Sequence, residues 1–175
     1  MLKRFEKSYL PEFVYGGIDG TITTFAVVAG ALGASLSSSI VIILGCANLV
    51  ADGFSMAVAN YLSTKSARDL NKSSSKNNVL KHPLKSASAT YASFILMGLI
   101  PLLPFLINAI FSENITHGFY YSIFATALAF IFIGSMKARI AKKNAFYSSL
   151  ETLSIGGIAA LLAFSVGFLI DKFLV

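Results

Sequence analysis

The sequence predicts an all-α integral membrane protein with five transmembrane helices, a cytosolic N-terminus and the C-terminus outside. Three observations carry this. Of 175 residues, 55% are hydrophobic and only 13% charged, with a mean hydropathy of +0.73. Soluble domains carry roughly 25% charged residues, so this chain lacks the charge to cover a water-facing surface. Five apolar stretches each approach the ~20 residues a helix needs to cross a bilayer. Nearly all the basic residues fall in segments that an alternating path places on one side.

The spans read as Leu10–Ser35, Ser39–Leu62, Ala87–Phe111, Gly118–Met136 and Thr152–Leu174, in one domain over residues 1–175. The N-terminal MLKRFEKSYLPEF runs into a span longer than a signal peptide's apolar region and shows no small-residue cleavage site, so it is expected to be mature structure. Pro101 and Pro104 are expected to kink the third span. Ser148-Ser149-Leu150-Glu151 fits a capping box opening the fifth. Between spans two and three, residues 63–86 form the one sizeable polar segment, a connector or short solvated helix on the cytosolic side. No internal repeat is evident.

Orientation follows from the basic residues. Lys3, Arg4 and Lys7 precede span one; Lys65, Arg68, Lys72, Lys76, Lys81 and Lys85 follow span two; Lys137, Arg139, Lys142 and Lys143 follow span four. With an inside N-terminus, Lys172 alone falls outside, as the positive-inside rule requires. The net charge of +6 is therefore a topology signal spread over three segments, and nucleic acid is not an expected partner. The single Cys46 excludes an intrachain disulfide and any cysteine cluster for zinc or iron–sulfur. No nucleophile–base pair, phosphate loop or cofactor fingerprint is present, so the chain does not read as an enzyme. His82 and His117, the latter near Glu113, read as solvated loop residues.

Ionisable residues inside spans are costly in lipid and mark candidate sites. Asp19 lies nine residues in from Leu10 and Asp52 ten in from Leu62, so both sit roughly 13–15 Å from the cytosolic edge at 1.5 Å per residue. Asn48, Asp52 and Met56 follow at i, i+4, i+8 on one helical face, flanked by Ser55 and Asn60. Glu12, Gly16, Asp19, Gly20 and Thr23 form a matching stripe in span one. Gly16, Gly20, Gly30 and Gly33 leave room for close helix approach. Carboxylate, amide and hydroxyl oxygens suit hard divalent ions, while a thioether tilts preference toward a softer metal such as Fe²⁺. The same residues also admit plainer roles: a protonated Asp bonding a neighbouring helix, Asn48 as interhelical glue, Met56 as packing.

The segments YGGIDGTITTFAVVAGALGA, LVADGFSMAVANYLSTKS, HPLKSASATYASFILMGLIPLLPF and SLETLSIGGIAALLAFSVGF, in this order, resemble the vacuolar iron transporter family in its wider sense. That resemblance implies a homodimer whose first helices line a central pathway. It implies export of Fe²⁺, and often Mn²⁺, from the cytosol in exchange for protons. The family's span-one aspartate falls on Asp19 and its span-two methionine on Met56. Many members have a span-two glutamate where Asn48 stands and Gly-Glu-Tyr where Ala59-Asn60-Tyr61 stands; Asp52, one turn from Asn48, is expected to supply the missing carboxylate. Well-known members also carry a glutamate-rich metal-collecting region between spans two and three. Here no glutamate occurs between Glu12 and Glu113, so this chain reads as a variant without that domain.

The expected site is therefore Asp19, Asp52, Met56, Asn48 and Ser55 for the metal, Asp19 for proton coupling, and Glu12 and Glu151 at the pathway entrance. Low dielectric favours a protonated carboxylate and metal binding reverses this, which is the chemistry of proton exchange. No cofactor is expected to be permanently bound; Fe²⁺ or Mn²⁺ is cargo, and the partners are protons, lipid and a second copy. The membrane is expected to be the inner membrane in a bacterium, or that of an internal compartment in a eukaryote. Two other readings fit the same residues. One is a non-transporting accessory or assembly protein in which the aspartates are structural contacts. The other is a transporter of another small cation.

Overall fold

The computed structural model describes residues 2–73, 81–111 and 118–174. Lys76, Glu113 and His117, and the side chains of Lys3, Arg4, Lys7 and Lys72, lie outside the described residues. The described chain is helical throughout: α1 (Leu2–Gly33), α2 (Ser38–Ser73), α3 (Pro83–Gly98), a 3₁₀ turn over Ile100–Leu102, α4 (Leu103–Phe111), α5 (Gly118–Ala141) and α6 (Ala145–Leu174). Five stretches are long and apolar enough to cross a membrane: Tyr9–Gly33, Ser38–Leu70, Pro83–Phe111, Gly118–Ala141 and Ala145–Phe173. The chain is an integral membrane protein of the expected five-span kind.

Two helix ends differ from expectation. α2 continues past Leu62 to Ser73, because Lys, Ala, Arg and Leu prolong a helix in water as well as in lipid. α6 opens at Ala145, where the Asn144 side chain accepts from the Phe146 N–H at 2.9 Å. Asn144 is thus the cap. Ser148 and Glu151 lie inside the helix, so the expected capping box is not used.

Two tight connections share one device. Ser35 and Lys142 take φ of 55° and 53°, left-handed positions at a helix end. The Leu36 N–H then reaches back to the Ala31 carbonyl at 2.9 Å, and the Lys143 N–H to Ala138 at 3.0 Å. These are the six-to-one bonds of a Schellman ending, which satisfy carbonyls the helix leaves open. The expected kink in the third span is a full break into α3 and α4 at Pro101 and Pro104. The Ser122 hydroxyl on α5 donates to the Pro101 carbonyl at 2.6 Å, so the break leaves that acceptor paired.

α1 is the hub. It packs most extensively against α3 and α6, and also touches α2 and α5. Half of its apolar window is buried, against 6% for α6, whose face presents Leu161, Leu162 and Phe168 outward. Glycine makes the approach possible at two places. A Cβ on Gly20 would overlap the Phe94 backbone of α3, and one on Gly33 would overlap the Phe164 carbonyl of α6. Lipid supplies no hydrophobic drive between helices, so close backbone packing of this kind has to hold them. The main core joins Val28, Val41, Leu49, Phe94, Leu102 and Phe105 from α1 to α4.

Candidate metal site between α1 and α2

The antiparallel α1 and α2 face each other with their polar stripes in register. Thr23 on α1 meets Asn48 on α2, whose Nδ2 donates to Thr23 Oγ1 at 3.5 Å. One turn along, Asp19 lies within electrostatic range of Asp52. One turn further, Tyr15 and Met56 line the same cavity. Each turn back along α1 is matched by a turn forward along α2, as the 3.6-residue period requires. The result is a polar ladder inside the membrane-spanning part of the bundle.

Asp19, Asp52, Met56 and Asn48 are all half-buried, whereas Ser55 is exposed. Thr23 also donates to the Asp19 carbonyl at 2.9 Å, which ties the hydroxyl into the helix that carries the carboxylate. Gly16, about a turn before Asp19, and Gly20, the residue after it, face α3; Gly30 and Gly33 face α6. All four glycines serve helix packing within the chain.

The ladder ends in a cavity of about 390 Å³ lined by Glu12, Tyr15, Met56, Asn60 and Thr64. Glu12 Oε1 accepts from Lys81 Nζ at 2.6 Å and from Ser86 Oγ at 3.1 Å. Its Oε2 is buried and has no hydrogen-bond partner among the described residues. A buried carboxylate oxygen without a donor is costly, and a hydrogen-bond donor or a cation reaching it through the cavity would relieve it. Asn60 Nδ2 donates to Thr90 Oγ1 at 3.0 Å, and Thr64 donates to Asn60 Oδ1 at 3.3 Å. Glu151, the other expected entrance residue, accepts from Lys137 at 2.9 Å on an exposed stretch of α5 and α6.

Lys81, Ser86 and Thr90 did not emerge as site residues from the sequence. A signal for them exists: Ser86, Thr90 and Ser93 recur at i, i+4, i+7 in an otherwise apolar segment, and all three are fully buried. Among the described residues, no three His, Cys, Asp or Glu side chains cluster as a metal cage. The one chain offers two facing carboxylates, an amide and a thioether.

These features define a class: a multispan membrane protein with paired carboxylates inside its spans and a polar cavity leading to them. The sequence model of the VIT family matches residues 10–80 and 74–168, and the chain belongs to that family. The two matched pieces overlap in the connector after α2. The chain is similar to the vacuolar iron transporter of Plasmodium berghei, 23% identical over 94% of this chain and 83% of that protein. It is similar to that of Centaurea cyanus, 26% identical over 89% of this chain and 85% of that one. A shorter match to the Toxoplasma gondii vacuolar iron transporter is 46% identical, over 35% of this chain and a fifth of that protein. The P. berghei alignment runs over 227 positions against a chain of 175 residues, so that relative holds residues with no counterpart here.

Proposed function

We propose that the chain transports a divalent transition metal, Fe²⁺ and also Mn²⁺, out of the cytosol in exchange for protons, as a homodimer. The observation that carries this is the facing pair Asp19 and Asp52 inside the spans, with Asn48 and Met56 on the same face of α2. Family membership and the names of the relatives support iron as cargo. In this reading Asp19, Asp52 and Met56 ligate the ion and Asn48 and Ser55 assist. Glu12 receives it at the mouth, where its unpaired oxygen and the polar cavity give a place to dehydrate. Glu151 is a further entrance group at the same end of the chain's spans.

The proton step follows from the carboxylates. Two acids facing each other in low dielectric cannot both stay charged without a counter-ion. Protons supply that neutralisation when the site is empty and a divalent ion supplies it when the site is full, so loading releases protons. Met56 biases the choice toward softer ions. The basic residues gathered after spans two and four orient that end toward the cytosol.

The test is purified protein in liposomes with a trapped fluorescent metal reporter, with and without a pH gradient. Wild type is expected to move Fe²⁺ and Mn²⁺ in a gradient-dependent way, and Asp19→Asn and Asp52→Asn to lose it. Met56→Leu is expected to retain fold and reduce the preference for Fe²⁺. Folded wild type that moves no divalent ion would refute the proposal and favour an accessory role.

A further inference from the structure

A second cavity lies on the other side of α2, away from the ladder. At the basic end of the bundle, the end of α2 and the start of α3 enclose about 390 Å³ lined by Lys65, Arg68, Asp69 and His82. The His82 backbone N–H donates to Tyr9 Oη at 3.1 Å, so α1 pins the mouth of this pocket. Next to it, an apolar groove of about 320 Å³ runs between α2 and α3 along Phe54, Val58, Ala87 and Tyr91. Tyr61 and Leu84 line both, so the two cavities are neighbours on one cleft.

The cleft is amphipathic along its length. Its basic part lies one to two turns beyond Leu62, where α2 passes from apolar to charged residues at the membrane edge. Lys and Arg at that depth extend their heads to the phosphate level while their stems stay apolar. Two permanent cations stand against one carboxylate there, so the pocket favours an anion. Its apolar part descends toward the bilayer interior and offers no charge. An occupant must therefore carry an anionic head and a hydrocarbon tail joined in one molecule. We propose that this cleft binds an anionic phospholipid of the adjoining leaflet, its phosphate at Lys65 and Arg68 and one acyl chain between Val58 and Tyr91. Charge complementarity in one half and apolar continuity in the other select this occupant over a free anion, which would leave the groove empty. The lipid would also bridge α2 to α3 across their polar connector.

The experiment measures lipids retained by the purified protein, by native mass spectrometry from an equimolar phosphatidylglycerol and phosphatidylcholine mixture. Wild type is expected to retain phosphatidylglycerol with roughly thirtyfold enrichment, the order that two cations at about 1 kcal/mol each supply. Lys65→Gln/Arg68→Gln is expected to fall to the ratio of the mixture. Arg139→Gln/Lys143→Gln, which removes the same charge outside the cleft, is expected to keep the enrichment. A second measurement needs no variant: phosphatidylglycerol added to delipidated wild type should raise its unfolding temperature, and phosphatidylcholine or inorganic phosphate should not. Equal loss in both double variants, no enrichment in wild type, or equal stabilisation by phosphate alone would each overturn the proposal.

Discussion

Replacing Gly20 by alanine tests whether α1 and α3 meet backbone to backbone beside Asp19. The new methyl carbon would stand 2.9 Å from the Phe94 Cα and 3.0 Å from its carbonyl carbon. Carbon atoms settle at about 3.5–4.0 Å, so α3 would have to retreat by roughly 0.5–1 Å. The obstacle is helix backbone, which cannot rotate away as a side chain could. Overpacking of this sort costs about 1–3 kcal/mol. Alanine also gains about 0.5–1 kcal/mol over glycine inside a helix, which complicates a single comparison. Gly157→Ala removes that complication, because a Cβ there meets nothing within 4 Å. The helix gain cancels between the two variants, and the overpacking cost remains as a gap of about 1–3 kcal/mol. For a chain of this size that is roughly 2–12 °C in unfolding temperature. The lone Cys46, half-buried against the α1–α4 core, is a built-in reporter. A thiol-reactive fluorophore should label it as the bundle opens, and Gly20→Ala should label at the lower temperature. Gly20→Ala unfolding at or above the temperature of Gly157→Ala would refute the packing described.

Three further predictions concern the polar contacts. Lys81→Gln removes a tethered cation from Glu12; Lys81 is about a third exposed, so the pair is worth about 1 kcal/mol and the half-saturating metal concentration for uptake should fall about fivefold. Unchanged or weakened metal dependence would show that Lys81 does not compete at the entrance. Asn60→Leu deletes the bond to Thr90, which still donates to the Ser86 carbonyl, so the thiol assay should show a loss of about 0.5–1.5 kcal/mol. An unshifted transition would mean that α2 does not lean on α3 at this point. Lys137→Gln should leave unfolding unchanged, because its pair with Glu151 is solvent-exposed; a clear drop in unfolding temperature would place that pair in a protected interface.

The spans were legible because lipid demands long apolar helices, and composition alone reports them. The helix ends were not, since composition changes at the membrane edge while the helix runs on, as α2 does to Ser73 and α6 does from Ala145. The stripe Asn48, Asp52, Met56 could be read from spacing, because a helical face is a local property. The partners Lys81, Ser86 and Thr90 could not be assigned to Glu12 and Asn60 in the same way. Which helix α1 leans on depends on a pairing between distant segments, and neither segment encodes it alone. The glycines show the same limit: Gly16 and Gly20 announced a close approach without naming α3 as the neighbour.

The glycine contacts also divide the bundle mechanically. α1 is braced at one end by α3, through the Thr90 and Phe94 backbone, and at the other by α6, where a Cβ on Gly167 would overlap the Gly30 carbonyl. Backbone on backbone leaves no side chain to yield, so these three helices form a stiff frame. α2 meets that frame differently, with Gly45 over the Leu102 side chain, Gly53 over the Tyr91 and Phe94 rings, and a cavity beside α1. Rotamers and empty space are compliant where backbone is not. The helix carrying Asp52 and Met56 is thus held to the bundle by side chains, while Asp19 sits on the part held backbone to backbone.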